Sequence, residues 1–256
     1  MNNEYKLSFI SRNDFENHVT DTIKQYNETL KSIDLRKFNE NIVDPIKLLF
    51  DKTVYDKTYE EIIKLEIQRQ RDKSNNNIIG YFHQNMFKYI KNCVVPSEGW
   101  DVVFTDENNT YYVEMKNKHN TMNSSSAGKT FIRMQNHLLN AEDRERSVCA
   151  LVEIISKHSK DEPWIITIDG EKQLPNERLR RISIDQFYKI VTGVPTAFKQ
   201  ICDQLPITIE KVIAENKALK VQRDTVFEEL AEIDDNTLVA LYKLAFSTYE
   251  GFDFKK

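Results

Sequence analysis

The sequence predicts an α/β protein in which a mixed central sheet is flanked by helices, with helical extensions at both ends. Three observations predict it. Trp100-Asp101-Val102-Val103-Phe104-Thr105 and Tyr111-Tyr112-Val113-Glu114-Met115-Lys116 are rich in aromatic and β-branched residues, and turn-forming Asp106-Glu107-Asn108-Asn109 lies between them. The run from Ser147 to Ile155 reads as a continuous apolar strand buried on both faces. Long stretches before and after these strands keep the period of a helix.

Taken in order, Phe15, Val19, Ile23, Tyr26 and Leu30 mark a first helix, and a second helical pattern continues through Phe38, Ile42, Ile46 and Leu49, broken or kinked at Pro45. A charged helix follows from about Tyr59 to Gln70. After Ser74-Asn75-Asn76-Asn77 a separate apolar helix is expected through Phe82, Met86, Phe87 and Ile90. Beyond the two strands, Asn123-Ser124-Ser125-Ser126 precedes a helix through Phe131, Met134, Leu138 and Leu139, with the serines as its amino-terminal caps. Trp164 to Ile168 reads as a further strand, and Ser183 with Gln186 as a capping box for a helix from Asp185 to Val191. After Pro206 the chain reads as helical to its end, with Asp235 or Asn236 capping the last helix.

Charge narrows the function classes. The net charge is −4, from 36 basic and 40 acidic residues, which excludes a globally basic nucleic-acid-coating protein. The charge is nevertheless segregated: Met115 to Ala141 holds no acid but carries Lys116, Lys118, Lys129, Arg133, His119 and His137. Lys73 to Ser97 is a second acid-free stretch, with His83, Lys88 and Lys91. Two such stretches around an acidic hairpin create a local field for a polyanion. Cys93, Cys149 and Cys202 are odd in number and form no Cys-x-x-Cys pair, so disulfides and a structural zinc are not expected. The amino terminus shows no signal-peptide pattern and no apolar run approaches the roughly 20 residues of a membrane span, so a cytoplasmic protein is expected.

The hairpin carries the chemistry. A four-residue turn pairs Thr105 with Thr110, and that register puts Asp101 across from Glu114, with Glu114 and Lys116 on one face. A slip of a single residue would destroy the set. Two carboxylates this close repel when ionised, and Mg²⁺, which is commonly held by one or two carboxylates together with waters and phosphate oxygens, relieves the repulsion. Lys116 beside them is placed to orient a water or to neutralise a phosphorane-like transition state. The same residues in a bare surface hairpin would make only a weak ion pair.

Asp101, Glu114 and Lys116 on adjacent strands, followed by a helix and a buried strand, resemble the PD-(D/E)XK nuclease superfamily. The run Lys116-Asn117-Lys118-His119-Asn120-Thr121-Met122-Asn123-Ser124-Ser125 narrows the likeness to type II restriction endonucleases of the group that reads GGNCC or GGWCC. Trp100 stands where the superfamily motif has proline. The resemblance covers about Ser74 to Gly193 and implies a restriction-endonuclease-like fold there, with 74–193 as the catalytic core; the helical periodicity outside it makes 1–73 an N-terminal and 194–256 a C-terminal helical region, and one compact domain overall is expected. It implies Asp101 and Glu114 as Mg²⁺ ligands and Lys116 as the catalytic lysine. Glu66, or else Glu60, is the candidate for a further carboxylate from a preceding helix, and Gln135 for a group that holds a water or Lys116.

The activity expected from that resemblance is cleavage of both strands of duplex DNA at a short palindrome, leaving 5′-phosphate ends. It calls for a homodimer on DNA and a cognate methyltransferase in the same system. Candidate base or phosphate contacts are Lys118, His119, Asn120, Asn123, Lys129 and Arg133, with Arg178, Arg180 and Arg181 as phosphate contacts or a solvated patch. A structure-selective repair or recombination nuclease with the same cation site, and a DNA-binding protein that does not cut, are the competing readings.

Overall fold

The chain orders its elements as α1 (Arg12–Thr29), α2 (Leu35–Asn39), α3 (Pro45–Val54), α4 (Tyr59–Met86), β1 (Cys93–Val94), β2 (Val102–Thr105), β3 (Thr110–Lys118), α5 (Ser124–Asn140), β4 (Ser147–Ile155), β5 (Asp161–Pro163), β6 (Thr167–Ile168), β7 (Glu171–Lys172), β8 (Leu179–Ser183), α6 (Ile184–Thr192), α7 (Ala197–Glu215), α8 (Val226–Ile233) and α9 (Thr237–Phe246). The structure, a computed structural model, describes residues 5–119, 122–215 and 222–248. It divides into two compact units, 1–22 with 79–217 and 23–78 with 218–256, so each unit is assembled from segments distant in sequence.

The first unit is a mixed α/β body around a six-stranded sheet in the order β1-β2-β3-β4-β8-β5. Strands β1, β2 and β3 are antiparallel, β3, β4 and β8 run parallel, and β5 returns antiparallel on the edge. Strand β4 is buried at every residue but Ile155, as a central parallel strand with both faces covered must be. Phe131, Met134 and Leu138 of α5 pack with Cys149, Leu151, Leu179 and the buried Trp164. Helix α6 also packs on β4, and its Phe187 and Tyr188 meet Phe87 at ring separations of 5.0 and 4.8 Å.

The hairpin register is Thr105 opposite Thr110 through Val102 opposite Val113, as the turn length predicts. The turn is locked from inside and outside. Asp106 accepts from the N–H groups of Asn108 and Asn109 at 2.8 and 2.7 Å, and the Arg146 guanidinium donates to the carbonyls of Asp106, Glu107 and Asn108 at 2.8, 2.9 and 3.2 Å. The Thr110 N–H donates to the Arg146 carbonyl at 2.9 Å, which ties the hairpin to the start of β4.

The second unit is helical. Ile33, Phe38, Val43 and Leu48 pack with Ile62, Ile63 and Ile67 of α4 and with Val226, Leu230, Ala240 and Leu241. Arg71 closes it with a bidentate pair to Asp224 at 2.7 and 2.9 Å. Pro45 begins α3 behind Asp44, whose carboxylate accepts from the N–H groups of Ile46 and Lys47, so the proline separates two helices.

Five local expectations are corrected. Ser74-Asn75-Asn76-Asn77 does not interrupt the chain; α4 runs unbroken from Tyr59 to Met86. An asparagine costs a helix at most about 0.7 kcal/mol relative to alanine, and here Asn75 accepts from the Thr29 hydroxyl while Ser74 bonds back to the Gln70 carbonyl. The cap of α5 is Asn123, accepting from the Ser126 N–H at 2.8 Å, in place of a serine. Of the expected strand from Trp164 to Ile168 only Thr167–Ile168 forms: the Trp164 N–H donates to the Leu179 carbonyl at 2.8 Å, continuing past β5, and its side chain is buried beside Phe131. Ser183 stands before α6, but its hydroxyl serves the Lys160 backbone and Asp185, so the capping box with Gln186 is not made. Pro206 lies inside α7, which has already begun at Ala197. Strand β8 was not foreseen, since Arg180 and Arg181 interrupt its apolar pattern.

Candidate active site

The site lies where β3 leaves the hairpin toward the carboxyl ends of the parallel strands, the edge at which open α/β sheets bind ligands. The Asp101 N–H donates to the Val113 carbonyl at 2.9 Å, continuing the β2–β3 ladder by one residue. Its Oδ2 accepts the Met115 N–H at 2.7 Å, and its carbonyl accepts from Gln84 at 3.1 Å. The carboxylate is thereby fixed against the backbone between Glu114 and Lys116. Burial pushes the Asp101 carboxyl above the usual range; the Met115 N–H opposes this, the Glu114 charge adds to it, and Lys116 and Arg133 oppose it.

Glu114 is held by two cations. Lys116 Nζ lies 2.6 Å from its Oε1 and Arg133 Nη2, from α5, lies 2.5 Å from its Oε2. Arg133 Nη1 also donates to the Gly99 carbonyl at 3.4 Å, and the guanidinium sits 4.5 Å above the centre of the Trp100 ring. Trp100 in turn packs on Tyr112 and His137, with ring centres 5.6 and 5.2 Å away. Strand pairing brings Asp101, Glu114 and Lys116 together, and α5 adds Arg133. Two carboxylates on adjacent strands, one of them raised in pKa by burial and by its neighbour, are a donor set that fits a hard divalent cation.

The remaining candidates are scattered. Glu66 is in the second unit, buried, with its carboxylate taken by Arg69 at 2.5 Å and Gln70 at 3.2 Å. Glu60 pairs with Lys64 at 2.6 Å. Among the described residues no group of three or more His, Cys, Asp or Glu side chains could hold a metal ion. Lys118 is exposed at the end of β3, Lys129 is exposed on α5, and Gln135 is half-buried on the same helix. Asn123 serves as the α5 cap, and Asn120 lies outside the described residues. Arg180 is tied to Asp161 and Glu177 at 2.8 and 2.7 Å, and Arg178 donates to the Arg144 carbonyl.

His119 belongs to a second ionic cluster that the sequence reading missed. Its centre is Glu153 of β4, only 1% exposed and paired in register with Lys116. Glu153 meets Arg181, His119 Nδ1 at 3.2 Å, Lys160 Nζ at 3.3 Å and the Ser156 hydroxyl at 3.2 Å. Burial works to raise its carboxyl, but the Arg181 hydrogen bond and charge, the Lys160 charge and the His119 hydrogen bond outweigh it and hold the group below the usual carboxylate range. A lone acid inside the apolar run from Ser147 to Ile155 was the signal that could have revealed it.

Comparison with known proteins accords with this arrangement. Residues 7–214 match the family described as Eco47II restriction endonuclease. The chain is 32% identical over 248 residues to the type II restriction enzyme Sau96I of Staphylococcus aureus, covering 93% of this chain and 94% of that protein. It is 27% identical over 214 residues to the type II restriction enzyme Eco47II of Escherichia coli, covering 82% and 89%. With its acidic hairpin, its mixed sheet and a match across most of its length, the chain belongs to the Eco47II restriction endonuclease family of type II restriction enzymes.

Proposed function

We propose that this chain cleaves duplex DNA at a short palindromic site of the GGNCC type, in a Mg²⁺-dependent reaction that leaves 5′-phosphate and 3′-hydroxyl ends. The observation that carries the reading is the convergence of Asp101, Glu114 and Lys116 at one end of a register-locked hairpin. Asp101 and Glu114 would hold the cation; when bound, it supplies Lewis acidity to a phosphate oxygen and lowers the pKa of a water. The Met115 N–H keeps the Asp101 carboxylate aimed, so no reorganisation is needed as charge develops. Lys116, 2.6 Å from Glu114, would orient the attacking water and offset the charge that builds on the phosphoryl oxygens. Lys118, Lys129 and Arg133 would meet phosphates or base edges, with His119, Asn120 and Asn123 on the connection between β3 and α5. A palindrome cut on both strands asks for two sites related by a two-fold axis, hence a homodimer on DNA, and a cognate methyltransferase would protect the host.

Digestion of plasmid DNA with Mg²⁺, followed by sequencing of the ends, tests the proposal. Discrete fragments with 5′-phosphates at one GG…CC palindrome are expected. Cutting confined to flaps or junctions, or binding with no cutting, would overturn it in favour of a structure-selective nuclease or a DNA-binding protein.

A further inference from the structure

The two cations on Glu114 are not equivalent. Lys116 reaches Oε1 from the same strand, whereas Arg133 comes from α5, takes Oε2, and rests on Trp100 and the Gly99 carbonyl. Each carboxylate oxygen therefore already carries a cationic partner, and a divalent cation approaching Glu114 meets a charge that Lys116 and Arg133 have neutralised and is repelled by both. Arg133 is the more exposed of the two, its side chain 46% exposed against 30% for Lys116, and it reaches the site from a different element. A guanidinium also pairs with a phosphate as readily as with a carboxylate, through the same planar fork.

We propose that Arg133 is a latch on the cation site: in the DNA-free protein it neutralises Glu114 in the cation's place, and on docking it transfers to a backbone phosphate and releases Oε2 to the cation. The inference rests on the reading of Asp101 and Glu114 as cation ligands. Trp100 gives the guanidinium a face to rest on in the latched position, which assigns a use to a residue that departs from the superfamily motif. The arriving phosphate would otherwise add negative charge beside two carboxylates, and Arg133 is the more exposed of the two positive charges on Glu114. Linkage makes the effect reciprocal: whatever factor DNA adds to cation affinity, the cation adds to DNA affinity.

Calcium titrated by calorimetry into the full chain, alone and with a short GGNCC duplex checked for integrity on a denaturing gel, tests the latch. In the DNA-free protein Arg133→Gln should bind Ca²⁺ more tightly than wild type, by a factor within the roughly 5- to 150-fold span of ordinary site–site coupling. Arg133→Lys, which keeps a cation near Oε2, should stay close to wild type. The duplex should tighten Ca²⁺ binding to wild type by a comparable factor and to Arg133→Gln by much less. Unchanged or weaker Ca²⁺ binding by DNA-free Arg133→Gln overturns the latch, and so does a wild type whose affinity ignores the duplex. Asp101→Asn separates the two levels: if it binds Ca²⁺ as well as wild type, the ligand assignment itself fails, and the latch with it. If it loses Ca²⁺ while Arg133→Gln matches wild type, the latch alone fails.

Discussion

Glu114 and Glu153 sit on neighbouring strands of one sheet, each ringed by cations, and they are built for opposite ends. Glu114 is 16% exposed, and its partners Lys116 and Arg133 reach solvent. Glu153 is 1% exposed, with Lys160 at 7% and Arg181 at 22%. An accessible pair gains little from its mutual attraction and is easily exchanged. A sealed one is costly to break, since removing one member leaves its partner charged and dry. Lys116, a partner of Glu114, is in register with Glu153 on the next strand. The fixed cluster supports the β3 strand end on which the exchangeable one is displayed.

Substitution should separate the two by readout, and the largest effect falls on the exposed one. Asp101→Asn and Glu114→Gln should abolish plasmid cleavage while leaving the urea unfolding midpoint near wild type. Lys116→Ala should cut more slowly by about 10²- to 10³-fold with DNA binding kept. Near wild-type cutting by the carboxylate variants would remove those residues from the mechanism.

At Glu153 the loss should appear in stability. Glu153→Ala should cost about 3–5 kcal/mol by urea unfolding, because Arg181 and Lys160 lose their common counter-charge. The folded pKa of Glu153 lies below its unfolded value, so its contribution is complete above the ordinary glutamate range and fades as pH falls through the folded value. The stability gap between wild type and Glu153→Gln should therefore narrow on acidification below about pH 4.5, the ordinary glutamate value. A gap that stays constant from pH 6 to 3 would show that the charge of Glu153 is not what stabilises the sheet.

Outside both clusters effects should be smallest. Asn123→Ala should cost about 1 kcal/mol as a lost helix cap. Lys118→Ala and Lys129→Ala should each lower the salt slope of DNA binding by about 1 without touching stability. If Asn123→Ala instead relaxes discrimination among mismatched duplexes at unchanged stability, it reads a base and its capping bond is incidental.

What was legible in the sequence is what depends on local period. The hairpin register followed from alternation and a four-residue turn, and Ser147–Ile155 was readable because a doubly covered strand has to be apolar. Capping by Asn236 was similarly local. Strand β8 was hidden because its arginines are satisfied by partners far away in sequence, Glu153 and Asp161. The unbroken α4 was hidden because a contact from Thr29 outweighs the weak helix propensity of asparagine. In the site, the positions of Asp101, Glu114 and Lys116 could be reasoned from one hairpin. That Arg133 would fall on Glu114, and that Glu153 would gather His119, Arg181 and Lys160, required three-dimensional neighbours that no spacing encodes.

The Arg146 clamp on the hairpin turn bears on how such an enzyme can change over generations. The clamp ties the tip to the root of β4, so the segment from Asp101 to Lys116 is anchored at its turn as well as along its strands, and it carries its chemistry at the two ends away from the turn. A codon gained or lost between the clamp and either carboxylate reverses which face the downstream side chains present, and the damage is total in one event. Drift in length is therefore tolerable only outside this segment. A lineage acquiring a new target sequence would be expected to do so by substitution along α5 and the connection leading into it, while the hairpin is inherited at constant length.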